Sequence, residues 1–125
     1  MVNWLLVIVG AIVGAPLRYL TDRAVQLRHD TVFPWGTLAV NVSGCLVLGM
    51  LTGAASTGHA SLHLQLLIGT GLCGALTTYS TFSYETLQLT ETGAGFYAAA
   101  NIVVSLTAGL GAAFAGVSLA QALWP

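Results

Sequence analysis

Gly71-Leu72-Cys73-Gly74-Ala75-Leu76-Thr77-Thr78-Tyr79-Ser80-Thr81-Phe82 sets glycines, four neighbouring hydroxyl side chains and two aromatic rings inside a segment otherwise apolar enough to cross a membrane. A bilayer core tolerates irregular, polar backbone only where it is buried in protein or lines a cavity. The run is therefore the expected functional centre of a small membrane protein.

Composition supports the membrane reading. Mean hydropathy is +0.84, and 56% of residues are hydrophobic while only 6% are charged. Soluble chains usually carry about 25% charged residues. A soluble fold of 125 residues would expose much apolar surface, because small domains bury proportionally less of their chain.

Four apolar segments lie outward from the opening run, each near the roughly 20 residues that a spanning helix needs. They run over about Val2 to Leu20, Trp35 to Ala55, Leu62 to Leu87 and Gly95 to Leu123, and predict an all-α integral membrane protein with one membrane domain over 1–125. The first segment lacks a basic leader and an obvious cleavage site, so it reads as a retained helix rather than a secretory signal. Nearly all charge falls between the first two segments, where Arg18, Asp22, Arg23, Arg28 and Asp30 surround His29 and lead to Phe33-Pro34-Trp35. The links Ser56 to Ser61 and Thr90 to Gly93 are short, which predicts antiparallel hairpins. With every arginine near the first link, the positive-inside rule taken alone favours that link in the cytoplasm.

Cys45 and Cys73 lie within apolar segments rather than loops, so a disulfide framework is a poor reading. His29, His59 and His63 sit at or beyond segment ends, away from any facing pair that could hold haem or zinc. Glycines recur at four-residue spacing in Gly10 with Gly14 and Gly49 with Gly53, and Gly109 and Gly111 lie ahead of Gly116. In lipid such faces let helices approach closely. Four short helices enclose little interior, so a solute pathway is expected to need a second copy of the chain.

The polar residues at membrane depth are uncharged: Asn41 and Ser43, Thr77 to Thr81, then Asn101 and Ser105. Such groups are costly in lipid and more often line an interior or a pathway than face lipid. Serine and threonine can instead bond back to a carbonyl one turn earlier. Asn41 is harder to absorb, since its amide carries two donors. Tyr79 and Phe82, three apart, share a helix face and could simply pack. Together, Asn41, the Ser80 and Thr81 hydroxyls and the positive ring edges of Tyr79 and Phe82 would suit a small anion. The lack of dominant carboxylates argues against a proton-coupled cation carrier.

The chain resembles the Fluc-type (CrcB) fluoride channels over essentially its full length. The matching residues are Gly14-Ala15-Pro16-Leu17-Arg18-Tyr19, Trp35-Gly36-Thr37-Leu38-Ala39-Val40-Asn41-Val42-Ser43-Gly44, the run from Gly71 to Glu85, and Asn101 with Ser105. The resemblance implies a third helix broken near Gly74–Tyr79 and an antiparallel, dual-topology homodimer with two fluoride pathways. It also implies a structural sodium ion at the dimer centre, held by main-chain carbonyls at the break, here of Gly74 and Thr77. By the same resemblance Asn41 faces the fluoride pathway and Phe82 and Tyr79 are aromatic box residues. Ser80 and Thr81 form a hydroxyl track, and Ser105 is the contributor from the fourth helix. Glu85 matches an acidic position near the pathway's end, with ordinary solvation as the plain alternative. Arg18 matches a first-helix arginine, for which an ion pair with Asp22 is the alternative.

Tyr79 departs from the family's usual phenylalanine, and Ala75 from a frequent second glycine, which leaves the break intact only if position 75 avoids positive φ. The implied role is passive export of cytoplasmic fluoride and hence fluoride resistance, by a multi-pass protein of the cell membrane, the bacterial inner membrane in particular. The implied partners are fluoride, a second copy of the chain and membrane lipid, with no nucleic acid and no enzymatic activity. Two other classes fit less well. A small multidrug exporter needs a carboxylate in its first helix, and Val2 to Leu20 has none. A redox-enzyme anchor would need haem-ligating histidines at depth.

Overall fold

Long apolar runs become long helices, the first of them running on through Pro16. The computed structural model describes residues 2–29 and 32–125; Asp30, one of the charges of the first link, lies outside the described residues. Helices α1 (Val2–Arg28), α2 (Trp35–Ser56) and α6 (Gly95–Leu123) dominate. Three helical spans, Asn3–Arg28, Trp35–Ser56 and Gly95–Leu123, are long and apolar enough to cross a membrane. Helix α1 continues two turns beyond the expected end at Leu20, because nothing between Thr21 and Leu27 interrupts a helix. Arg18, Asp22 and Arg23 therefore sit on a helix rather than in a loop.

The stretch expected from Leu62 to Leu87 is built in pieces. Helix α3 (Leu62–Leu64) starts on a Ser61 cap, whose side chain accepts the Leu64 N–H at 3.2 Å. It widens into a π-helical stretch (Gln65–Cys73), closed where the Gly74 N–H donates to Gly69 O, five residues back. Helix α4 (Gly74–Leu76) follows; residues 77–79 are not helical, and α5 (Ser80–Glu91) resumes.

Two helix ends are closed by glycines in the left-handed region, Gly58 at φ 81 and Gly93 at φ 83. After Gly58, His59 N–H reaches back to Ala54 O at 2.8 Å, and after Gly93, Ala94 N–H reaches Leu89 O at 2.8 Å. These returns satisfy carbonyls that a helix end would otherwise orphan, and they reverse the chain within a few residues. Ala75 needs no such freedom, since no residue other than glycine has positive φ among the described residues.

Helix pairing follows the glycine spacing. On α1, a Cβ at Gly10 would overlap the Leu67 carbonyl oxygen and one at Gly14 the Leu72 carbonyl oxygen. From the other side, a Cβ at Gly71 would come within 2.7 Å of Val7 O. On α2, Gly49 lies against the Ala113 carbonyl of α6, and Gly116 of α6 lies against the Leu46 carbonyl of α2. Close backbone approach is the main source of helix association where burial from water no longer drives it. Gly111, grouped with this stripe from spacing alone, faces open space, and a Cβ at Gly109 would meet only the Cys45 sulfur at 3.6 Å. The outward faces are apolar; Leu110 is 72% exposed and Phe114 75%, a surface suited to lipid or to another protein face.

These contacts predict an asymmetric response to one added methyl. Gly49→Ala must push α2 from α6, at a cost of ~2 kcal/mol for overpacking, and lowers the midpoint of thermal aggregation in detergent. Gly111→Ala leaves that midpoint unchanged.

Candidate functional site

The interruption at 77–79 leaves backbone groups that no helix can satisfy, and neighbouring elements deal with them one at a time. Helix α2 meets the interruption at Gly44, where a Cβ would overlap the Thr77 methyl. Nearly one turn earlier, Asn41 sends its amide across. Thr78 N–H donates to Asn41 Oδ1 at 2.8 Å, and Asn41 Nδ2 donates to Thr78 O at 3.1 Å. The amide orientation is unambiguous, because a peptide N–H can only donate and a peptide oxygen only accept.

The threonines complete the local bonding. Thr77 folds back on Cys73, whose carbonyl accepts both the Thr77 N–H at 3.0 Å and its hydroxyl at 2.8 Å. The Thr78 hydroxyl oxygen accepts the Thr81 N–H at 3.1 Å, the geometry of a helix N-cap for α5. Two sets of groups stay unmatched. Among the described residues no donor reaches the carbonyl oxygens of Gly74, Ala75, Leu76 or Thr77, and no acceptor reaches the N–H groups of Tyr79 or Ser80.

A cavity of about 470 Å³ opens beside the interruption. Its walls include Asn41 and Cys45 of α2, Cys73 and Gly74, the chain from Thr77 to Tyr79, Phe82 of α5 and Ser105 of α6. Tyr79 is 81% exposed, and its ring centroid lies 6.3 Å from that of Phe82 at an interplanar angle of 42°. Of the six residues assigned to the fluoride pathway, Asn41, Tyr79, Phe82 and Ser105 share this cavity. Ser80 and Thr81 lie outside its walls, one exposed and one half-buried. Neither of their hydroxyls is engaged by a partner among the described residues.

Ser105 is anchored by residues that the sequence reading left without roles. Its hydroxyl donates to Asn101 Oδ1 at 3.2 Å, Asn101 Nδ2 donates to Thr86 Oγ1 at 2.9 Å, and Thr86 Oγ1 donates to Phe82 O at 2.8 Å. Asn101 is only 1% exposed. This chain ties α6 to the turn of α5 that carries Phe82. The available signal was an asparagine deep in an apolar helix, which demands a partner.

Glu85 lies away from the larger cavity, in a smaller one of about 240 Å³ with Gln26, Gln88 and Thr92. Its carboxylate accepts a hydrogen bond from the buried Thr37 hydroxyl of α2, so the plain reading of a merely solvated carboxylate does not describe it. Arg18 is half-buried and makes no ion pair among the described residues, so the expected alternative of an Arg18–Asp22 pair is not found. Asp22 accepts instead from Gln26 Nε2 at 3.3 Å and lies against Gly36, where a Cβ would overlap its carboxylate. No group of three or more histidine, cysteine or acidic side chains is gathered among the described residues.

Comparison with known proteins follows the same residues. The family model described as "CrcB-like protein, Camphor Resistance (CrcB)" matches residues 5–117. A Streptomyces avermitilis protein named "Fluoride-specific ion channel FluC 1" is 82% identical over 122 residues, covering 98% of each chain. A protein of the same name from Frankia casuarinae is 63% identical, again over 98% of each chain. "Fluoride-specific ion channel FluC" of Shewanella sp. is 45% identical over 105 residues, 84% of this chain and 85% of that one. The chain, with its interrupted helix and the Asn41 bridge across it, belongs to the CrcB-like family.

Proposed function

We propose that the chain is a fluoride-selective ion channel of the cell membrane, not an enzyme, through which cytoplasmic fluoride leaves passively down its electrochemical gradient. Relatives up to 82% identical carry that activity in their names. The observation that carries the reading is the cavity beside the interruption, walled by Asn41, Phe82 and Ser105 without a charged side chain.

Fluoride is strongly hydrated, so a path must replace its water with pre-placed donors and yet release the ion. Asn41 has one N–H left after binding Thr78 O, and the rings of Tyr79 and Phe82 add positive edges. The free hydroxyls of Ser80 and Thr81 would extend a donor track beyond the cavity. Ser105 differs, because its proton already points to Asn101; it must give up that bond before donating to an anion. Arg18 and Glu85 would stand toward the pathway's ends.

One copy encloses little pathway, and the exposed apolar faces of α1 and α6 favour a second. The arrangement we propose is a homodimer of antiparallel copies, each contributing four crossings, the third made of α3, the π stretch, α4 and α5. A bacterial inner membrane is the expected location. The carbonyls of Gly74 and Thr77, lacking donors, fit a structural sodium ion at the dimer centre, since hard cations take oxygen ligands. When bound, such an ion would neutralise the carbonyl ends of two interrupted helices.

Purified protein in liposomes is expected to release fluoride rapidly and chloride not at all, read with a fluoride electrode while valinomycin clamps the potential. Asn41→Ala slows fluoride release about tenfold or more, the equivalent of ~1.4 kcal/mol. Equal fluoride and chloride release, or none from verified dimers, would overturn the reading. Tyr79→Phe keeps the flux within about threefold, and Ser105→Ala lowers it less than Asn41→Ala, since a neutral hydrogen bond is worth about 1 kcal/mol. Exchanging sodium for N-methylglucamine is expected to lower the thermal midpoint of the dimer; an unchanged midpoint would count against the sodium site.

A further inference from the structure

The buried chain of hydrogen bonds that begins at Ser105 has a polarity that its members can reverse. It runs through Asn101 and Thr86 to the carbonyl of Phe82, and the residues at its two ends, Ser105 and Phe82, both line the larger cavity. Asn101, in the middle, is 1% exposed. Among the described residues its amide bonds to two hydroxyls: Oδ1 accepts from Ser105 at 3.2 Å, and Nδ2 donates to Thr86 Oγ1 at 2.9 Å. A hydroxyl can donate or accept, so neither partner fixes which way the amide points. Asn41 is the contrast, because its partners are the peptide N–H and the peptide oxygen of Thr78, which admit one orientation only.

We infer that Asn101 is a positioning residue whose amide reverses to release the Ser105 proton to an anion in the cavity. The inference rests on the fluoride-channel reading. As the chain stands, three bonds run in one direction, Ser105 to Asn101, Asn101 to Thr86 and Thr86 to Phe82 O. After half a turn of the amide, Nδ2 donates to Ser105 Oγ and Oδ1 accepts from Thr86, whose proton swings away from Phe82 O. That carbonyl is not orphaned, since it still faces the Thr86 N–H one turn on in α5. Every proton stays on its own oxygen or nitrogen. The reversed chain holds one bond fewer, and the freed Ser105 O–H supplies it to the anion. A charge-assisted bond is roughly twice as strong as a neutral one. Fluoride beside Ser105 therefore selects the reversed chain, and its departure restores the first.

Fluoride efflux from liposomes is compared for the unchanged protein, Asn101→Leu, Ser105→Ala and the double variant. Without the amide, the Ser105 hydroxyl folds back on the carbonyl one turn earlier. Each single variant is expected to slow efflux about fivefold, the weight of one neutral hydrogen bond, and the double variant no more than either alone. A merely structural Asn101, tying α6 to α5 through Thr86, slows efflux by the same factor whether or not Ser105 keeps its hydroxyl. A double variant slowed about twenty-fivefold, the product of the two single effects, would overturn the inference. The second readout needs no variant. In magic-angle-spinning NMR of the full-length protein with ¹⁵N-asparagine and ¹³C-serine and ¹³C-threonine, the Asn101 Nδ2 contact is expected to pass from Thr86 Cβ in gluconate to Ser105 Cβ in saturating fluoride. A contact that does not move with fluoride overturns the inference, and decides the matter if Asn101→Leu fails to fold. No fluoride release from the unchanged protein sinks the channel reading and this inference with it; release with a fixed contact or with independent single effects sinks the inference alone.

Discussion

The amide of Asn41 makes the interruption at 77–79 tenable at membrane depth. A buried peptide group without partners costs about 1–3 kcal/mol for each unmatched donor or acceptor, and lipid offers none. Asparagine suits the task because one planar group presents a donor and an acceptor side by side, the complement of the N–H and C=O of Thr78. Aspartate could accept but not donate, and an aliphatic residue could do neither. Thr77 and Thr78 are likewise consumed by the backbone, one returning to Cys73 and the other capping α5. The run of hydroxyls therefore divides: the first two hold the chain, and Ser80 and Thr81 have no partner among the described residues.

The Asn41 bridge is only as exact as the approach of α2 to the interruption, and that approach is set by glycines. Gly44 admits the Thr77 methyl, while Gly49 and Gly53 bring α2 against the α6 backbone. Gly10 and Gly14 seat the π stretch on α1 in the same way. A π-helix is wider than an α-helix and is stable only where neighbours hold it; here its glycines let α1 come to backbone distance. The same packing carries α6 past α5, so that Asn101 can reach Thr86 and orient Ser105.

Much of this was legible from residue order. Glycine spacing predicted the close faces at Gly10, Gly14, Gly49 and Gly53, and the short links from Ser56 to Ser61 and Thr90 to Gly93 fell where the helices end. A polar run inside an apolar segment marked the cavity. Other features depend on which residue lies opposite, and spacing carries no such information. Gly111, grouped with Gly116 in one glycine stripe, has no neighbour. Asp22, one turn from Arg18, turns instead toward Gly36 of α2. Helix α1 outran its apolar segment because charged residues end a hydrophobic run without ending a helix. The π stretch left no sign, since it uses the same apolar residues that an α-helix would.

The interruption also places two helix ends of opposite polarity back to back. The carbonyls of Gly74 to Thr77 are the negative end of α4, and the free N–H groups of Tyr79 and Ser80 are the positive end of α5. With the sodium site and fluoride path proposed above, one break would serve both ions without a single formal charge, oxygen toward the cation and N–H toward the anion. Uncharged donors matter for throughput. An arginine in the cavity would hold fluoride through charge as well as hydrogen bonding, and an ion held tightly leaves slowly. On the proposed path, partial charges on fixed backbone and one amide N–H would compensate for lost water while keeping the well shallow, which is what a passive path requires and a binding protein does not.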